Sequence, residues 1–523
     1  MSTQVEEYVR ESIKYVNSRD ELEKLRLHVT KTFHLKKVIS NTDILLMLKE
    51  EEREKYGELL VRKPTRTLSG VSVVAIMTSP HSCPHGRCTY CPGGVEFSSP
   101  QSYTGLEPAA LRGRQNNYNP YLQTRNRLDQ LRRIGHPTDK VDLIIMGGTF
   151  TAREESYQKE FVKGSLDAMN GFPSKDLNEA IMENETAENR CIGLTVETRP
   201  DWFFEREIDL ALSYGTTKVE LGIQTTFNDI HRETRRMHRI SDVIRATSLA
   251  KDSGFKVLYH LMPGIGGVDF AGDVATLRRI FDDHNMRPDM LKIYPALVIG
   301  GTGYYDRFLR GEYRSYESEE AVELLSEFFR YIPNYVRIHR IQRDIPVYRI
   351  VQGVKRSDIH DLAVKRALEK GYDIKEIRYR EVGHRGGAEG KIEMKVTTYQ
   401  ASEGLEKFIE FVDEEDKIIA FIRLRLPGEN VIRHELIGKT IVREIKTFGK
   451  EARIDREGEY QHRGFGRRLL SEAEEITRNE GYDGIAIISG IGVREYFRKM
   501  GYELQGPYMI KNIKENGASS GFY

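Results

Sequence analysis

VSVVAIMTSPHSCPHGRCTYC, residues 71–91, decides how this chain is read. Val71–Ile76 is mostly β-branched and apolar, the composition of a strand buried on both faces. It runs straight into a loop carrying Cys83, Cys88 and Cys91, spaced C-x4-C-x2-C. The 523 residues hold four cysteines, so three of the four fall within nine residues. With no charged-then-apolar leader and no apolar run near about 18 residues, a disulfide-built secreted protein and a membrane span are excluded. The expected setting is a reducing cytoplasm, where clustered cysteines are ligands or nucleophiles.

Working outward, five similar runs follow: Val141–Met146, Cys191–Val196, Lys218–Ile223, Lys256–Leu261 and Met290–Tyr294. Charged stretches with helical spacing separate them. Buried strands alternating with amphipathic helices predict an α/β fold: a partial (βα) barrel over 69–336, with six units ending near residue 300. Residues 1–68 form an amphipathic helical segment (Val5, Tyr8, Val9, Ile13; Ile44, Leu45, Leu48) with a possible RNA contact. Arginine-rich 337–389 is expected to be a connector packing between domains. Residues 390–523 make a separate α+β domain, with strands Ile392–Tyr399, Lys417–Leu426 and Ile441–Phe448, a helix at about 465–479, and strand Ile485–Ser489. A short helix at 493–500 and a last strand, Tyr502–Ile510, close it.

Three thiolates on one loop can hold three irons of a 4Fe-4S cubane and leave the fourth open. An open iron suits S-adenosylmethionine, whose amino and carboxylate groups chelate there while an electron cleaves the sulfonium to a 5'-deoxyadenosyl radical. The plain alternative is a structural zinc completed by His81 or His85. Placement favours the cubane, because barrel sites gather at the carboxyl ends of the strands. The second strand ends in Gly147-Gly148-Thr149, the third in Glu197-Thr198-Arg199, the fourth in Gln224-Thr225 and the fifth in Met262-Pro263-Gly264. Gly147, Gly148, Thr149, Glu197, Gln224 and Met262 are therefore the expected S-adenosylmethionine contacts. Singly each has an ordinary reading as a turn, a surface ion pair or core; together they converge on one bowl. Cys191, inside an apolar strand, reads as a buried small residue.

These residues resemble the radical S-adenosylmethionine superfamily, with one extra residue in the cysteine spacing. CPGG (91–94), QSYTG (101–105), MGGTF (146–150), VETRPD (196–201), LGIQT (221–225), HLMPG (260–264) and LKIYP (291–295) resemble the Elongator catalytic subunit family in particular, in a stand-alone prokaryotic-type form.

In the second domain, Gln461, Gly464, Phe465 and Gly466 open a helix. Glycine there lets free backbone N–H groups reach a pyrophosphate. The pattern resembles the acetyl-coenzyme A loop of GCN5-related acetyltransferases. The preceding strand, Glu444, Ile445, Lys446 and Thr447, would pair with pantetheine. Tyr496 is either a ligand contact or a packing aromatic. Where the family carries two adjacent tyrosines and a V-Y-G strand end, this chain has Phe497 and Thr447-Phe448-Gly449, so no hydroxyl role carries over there. Lys140 matches a family lysine implicated in contacting acetyl-coenzyme A; strand polarity puts it away from the cysteines, and an ordinary solvated lysine is the alternative.

With 80 Lys+Arg against 79 Asp+Glu, any nucleic-acid surface must be local. Arg112, Arg114, Arg125 and Arg127 lie in one basic run with Tyr118 and Tyr121 interleaved; Arg232, Arg235 and Arg236 lie in HRETRRMHR (231–239). Such runs are often solvated faces, but both follow rim loops and suit an RNA loop presenting an unstacked base. The family resemblance implies a tRNA wobble-uridine carboxymethyltransferase using acetyl-coenzyme A, acting on the anticodon loop with an external electron donor, and it allows a homodimer. No catalytic acid or base is assignable: Glu444 and His462 are candidates without geometry. The rival is a protein lysine acetyltransferase with a structural iron-sulfur domain.

Overall fold

Seven parallel strands curve around a common lumen in the computed structural model, which describes residues 3–61, 70–449 and 464–513. They are β1 (Ser72–Met77), β2 (Lys140–Met146), β3 (Arg190–Thr198), β4 (Lys218–Gln224), β5 (Lys256–Leu261), β6 (Met290–Ile293) and β8 (Arg337–Ile341). β7 (Val298–Ile299) and β9 (Ile350–Gln352) form a separate two-stranded ribbon. The sheet order β1-β2-β3-β4-β5-β6-β8 leaves the barrel open between β1 and β8. The first six strands match the sequence expectation. The seventh lies in the stretch expected to be a connector, because Arg337, His339 and Arg340 interrupt its apolar pattern.

The N-terminal segment folds into four helices, Thr3–Ser12, Arg19–Thr32, Asn41–Met47 and Glu50–Leu60, around a core of its own. Among the described residues no helix is long and apolar enough to cross a membrane.

The C-terminal sheet has β10 (Glu393–Ala401), β11 (Gly404–Val412), β12 (Ile418–Leu426), β13 (Lys439–Thr447), β14 (Gly484–Ile488), β15 (Glu503–Gln505) and β16 (Tyr508–Asn512), in the order β10-β11-β12-β13-β14-β16-β15. The sequence reading lacks β11 and merges β15 and β16, which are a hairpin turning at Gly506. β13 and β14 pair in parallel only from Lys439↔Gly484 to Val442↔Ile487. A bulge at Arg443 then bends β13, since Arg423 pairs with Glu444 and Leu424 with Val442. Glu444–Thr447 continue along β12 alone and leave a wedge beside β14.

This domain sits against the N-terminal ends of the barrel strands. Arg443, Arg425, Lys251, Asp252, Asp289 and Glu406 meet there as buried ions, and Tyr335 stacks on Tyr399 at 3.8 Å. Arg380, from the expected connector, pairs with Glu410 at 2.9 Å and so ties that segment to the second domain.

Candidate active site

The cysteine loop leaves β1 at the rim. Cys88 and Cys91 are buried and Cys83 is half-buried. Cys83 Sγ lies 3.6 Å from Thr149 Oγ1, Cys88 Sγ 3.1 Å from His85 Nε2, and Cys91 Sγ accepts the Ser102 N–H at 3.2 Å. Burial pushes the Cys83 and Cys91 thiols up, and charge on the neighbouring sulfurs pushes them further. Three such sulfurs ionise together only around a cation.

A cubane fits this donor set. Tetrahedral zinc with Zn–S near 2.3 Å draws its sulfurs to about 3.8 Å apart. Among the described residues these cysteines and histidines form no set of three with ligand atoms mutually within 4.8 Å. The buried Arg236 Nε–H, near Cys83 and Cys88, has no partner within the protein, which suits acceptor sulfides at that place. Cys191 stands apart: it is buried in β3, where its thiol is pushed up to about 12 by burial.

The rim residues border a cavity of about 670 Å³ lined by Cys91, Gly148, Glu197, Gln224, Met262 and Arg236. Gly147 and Gly148 have φ of 127° and 84°. A Cβ on Gly147 would lie 2.1 Å from Thr78 Oγ1, and one on Gly148 would lie 3.7 Å from Cys83 Sγ. Only glycine brings its backbone this close to the cluster loop. Thr149 is buried beside Cys83.

Strand periodicity also turns Glu220, His260, Lys292 and Tyr294 inward, none of them singled out from sequence. Glu197, Glu220 and His260 bring ligand atoms within 4.8 Å of one another. Lys292 already serves as their cation: it is hydrogen-bonded to Glu220 and lies 3.8 Å from Glu197. Glu197 also accepts the Tyr103 hydroxyl at 2.7 Å, and His260 Nε2 lies 2.7 Å from Glu220. The group is thus a polar network holding Glu197 at the rim, with Glu220 Oε1 buried and unpartnered. The sequence signal was there, since Glu220, Gly222 and Gln224 alternate, as do His260 and Met262.

A second cavity, about 540 Å³, lies between the barrel floor and the β13–β14 wedge. It is lined by Lys218 and Lys256 from the barrel and by Glu444, Ile445, Lys446 and Ser489 from the second domain. Val73 borders both cavities, and on β4 Lys218 faces the lower one while Glu220, two residues on, faces the upper. Burial lowers Lys256 to about 8, against the opposing pull of Glu444. Glu444 is hydrogen-bonded by Arg423 at 2.8 Å, which outweighs burial and keeps it below the usual carboxylate range, making it a poor proton acceptor. Gly464, with φ 85°, opens the helix Phe465–Asn479, and a Cβ on Gly466 would lie 3.2 Å from the Tyr496 hydroxyl. The Phe465 side chain is buried against Phe411, so only its backbone can face a ligand. Gln461 and His462 fall outside the described residues. Lys140 begins β2 beside Arg190, against which Gly492 of the second domain packs.

Comparison with known proteins agrees with this two-part architecture. Residues 1–68 match the ELP3 N-terminal domain, 77–280 the Radical SAM superfamily, 288–370 the Radical_SAM C-terminal domain, and 387–502 the Acetyltransferase (GNAT) family. A Methanocaldococcus jannaschii protein named tRNA uridine(34) acetyltransferase is 48% identical over 490 residues, covering 91% of this chain and 90% of that one. The chain belongs to the Elongator protein 3 family. Human Elongator complex protein 3 is 41% identical over 90% of this chain and 89% of its own length. The solved structure of Methanocaldococcus infernus Elp3 with its N-terminal residues 1–46 deleted superposes with a TM-score of 0.76 at 45% identity, covering 85% of this chain and all of that one. The radical SAM half implies a 4Fe-4S cluster and S-adenosylmethionine; the GNAT half implies acetyl-coenzyme A.

On this Elongator-family scaffold the basic residues divide. Arg112 and Arg127 line the upper cavity, and Arg112 Nη2 donates to the Ala75 carbonyl at 3.2 Å. Arg114 and Arg235 are exposed, Arg125 pairs with Asp129 at 3.5 Å, and exposed Arg232 pairs with Asp229 at 3.0 Å. Arg236 departs from expectation. It is 7% exposed and points into the barrel, where no phosphate backbone reaches it. Arg340 and Arg343, unmarked in the sequence reading, also border the upper cavity from beside β8.

Proposed function

We propose that this enzyme adds a carboxymethyl group to C5 of the wobble uridine of tRNA, taking the two carbons from acetyl-coenzyme A. The observation that carries the reading is adjacency: the cavity of the β13–β14 wedge and the bowl lined by Cys91 share the wall residue Val73. The Methanocaldococcus jannaschii relative is named for uridine 34 of tRNA.

Cys83, Cys88 and Cys91 would hold the cluster, which when bound supplies the electron that cleaves S-adenosylmethionine to a radical. Gly147, Gly148, Thr149, Glu197, Gln224 and Met262 would seat S-adenosylmethionine. The unpaired side of Glu444–Thr447 would bond pantetheine, and the helix opening at Gly464 would receive the coenzyme A phosphates, with Tyr496 beside them and Lys140 on the barrel side of the interface. Arg112, Arg114, Arg125, Arg127, Arg232 and Arg235 would contact the anticodon loop. The reading takes an external electron donor and a cytoplasmic setting, and admits a homodimer. An acetyl group seated in the wedge would meet Lys218 and Lys256 of the barrel, which disfavours the rival, transfer to a protein lysine.

The test is anaerobic reconstitution with iron and sulfide, then mass spectrometry of tRNA nucleosides after reaction with isotopically labelled acetyl-coenzyme A. Label should enter uridine and vanish in Cys83→Ser, Cys88→Ser and Cys91→Ser, which keep acetyl-coenzyme A binding. Unlabelled uridine from cluster-loaded enzyme would defeat the proposal.

A further inference from the structure

Arg236 carries a buried positive charge with no carboxylate paired to it among the described residues. Its Nη2 donates to the Gly222 carbonyl at 2.7 Å, its own carbonyl accepts from Arg199 Nη1 at 2.9 Å, and its Nε is buried without a partner. Gly222 makes the room, since a Cβ there would lie 2.6 Å from Arg236 Nη2. Among the described residues no carboxylate is within ion-pair distance. Asp201, close enough to be felt, is already gripped by Arg199 at 2.9 and 2.6 Å. Tyr90 and Cys91 line the same cavity as Arg236, and Cys88 and Cys83 lie near enough to feel its charge. A desolvated guanidinium persists only where compensating negative charge stands.

We propose that Arg236 is a positioning residue for the iron-sulfur cluster, its fixed charge offsetting the negative charge the cluster gains on one-electron reduction. With three thiolates, a cubane passes from one net negative charge to two when an external donor gives it an electron; no bond or proton moves. In a water-poor pocket a nearby cation favours the reduced state strongly. Arginine suits the task because it keeps its proton at any working pH. His85 stands on the cysteine loop itself, with Nε2 3.1 Å from Cys88 Sγ and a buried, unpartnered Nδ1. The inference rests on the proposed function only in requiring the cluster.

The experiment uses full-length protein reconstituted anaerobically as wild type, Arg236→Lys, Arg236→Gln and Arg236→Met. Iron and sulfide are assayed, and redox titrations without S-adenosylmethionine are followed by electron paramagnetic resonance. The expected result is that a neutral variant keeps its iron and sulfide while its reduced-to-oxidised ratio at fixed potential falls roughly tenfold or more, a shift of about 59 mV or more to the negative side. Arg236→Lys should titrate with wild type. Neutral variants that titrate with wild type would overturn the proposal, including the case where they only bind S-adenosylmethionine less well. So would Arg236→Lys falling as far as Arg236→Gln, which would assign the effect to the bond to Gly222. Loss of iron and sulfide from both neutral variants would also overturn it, leaving Arg236 a brace for the loop. A wild-type protein that assembles no cubane would instead defeat the proposed function.

Discussion

Arg443, at the β13 bulge, sets both terminal nitrogens 2.6 Å from the two oxygens of Asp289 in the barrel, and neither side chain is exposed to solvent. Arg443 also reaches Glu406 at 2.8 Å, and Asp289 accepts the Val257 N–H at 2.8 Å. Removing one partner of a buried pair strands the other charge and costs about 3–5 kcal/mol. Asp289→Asn should therefore destabilise by about that much. Because the pair joins the two domains, calorimetry should show one melting transition split into two. Asp289→Asn melting as one transition near the wild-type temperature would remove the pair from the interface account.

The rim glycines should separate cluster assembly from S-adenosylmethionine binding. Gly147→Ala forces a side chain onto φ 127° and against Thr78 Oγ1. A backbone conformation of that kind costs on the order of 1–3 kcal/mol, and the segment must shift to relieve it. The cysteines lie on a different loop, the one after β1, so the iron content should hold while S-adenosylmethionine affinity falls. Equilibrium dialysis beside an iron assay reads both, and unchanged affinity would place the ligand away from this turn.

At the second site, Tyr496 is 43% exposed, so its ring adds little to the core. Its hydroxyl stands over the first turn of the helix that Gly464 opens. Tyr496→Phe should leave the melting temperature near wild type and weaken acetyl-coenzyme A binding roughly three- to tenfold, the range of one hydrogen bond. Titration calorimetry with acetyl-coenzyme A measures it, and an unaltered Kd would make Tyr496 a bystander.

What the sequence discloses follows from periodicity. Six barrel strands are legible because their runs are mainly apolar and β-branched, with only scattered polar residues, and β8 is hidden because its polar residues meet the lumen and the second domain. The cysteine loop is legible through its spacing. The network of Glu220, His260 and Lys292 leaves only the alternation within each strand as a sign, because each residue alone is an ordinary charge and only the folded sheet brings them together. Arg236 shows the converse: a run of like charges reads as a solvated face, whereas a single glycine opposite, Gly222, gives one member a place inside. Phe465 likewise lies in a ligand-like motif but spends its side chain on the core.

Asp273 makes the stability of the fold sensitive to pH. Its carboxylate accepts the Gly264 N–H and the Tyr316 hydroxyl, each at 2.8 Å, fixing the loop that follows Met262. Burial raises it to about 7, more than those two hydrogen bonds lower it, and Asp269 nearby pushes the same way as burial. The native state therefore keeps this proton up to about 7, whereas the unfolded chain releases it near the ordinary value of about 3.9. Between those values the native state binds more protons, so this group's contribution to stability falls as pH rises from about 4 to about 7, then levels off. Asp273→Asn keeps an acceptor oxygen and cannot ionise. Chemical denaturation at pH 5 and pH 8 should show wild type losing up to a few kcal/mol relative to Asp273→Asn, at roughly 1.4 kcal/mol for each tenfold difference in proton affinity between the folded and unfolded chain. A difference between the two proteins that stays constant across that range would mean Asp273 titrates as an ordinary carboxyl group, and the loop would then owe nothing to its proton.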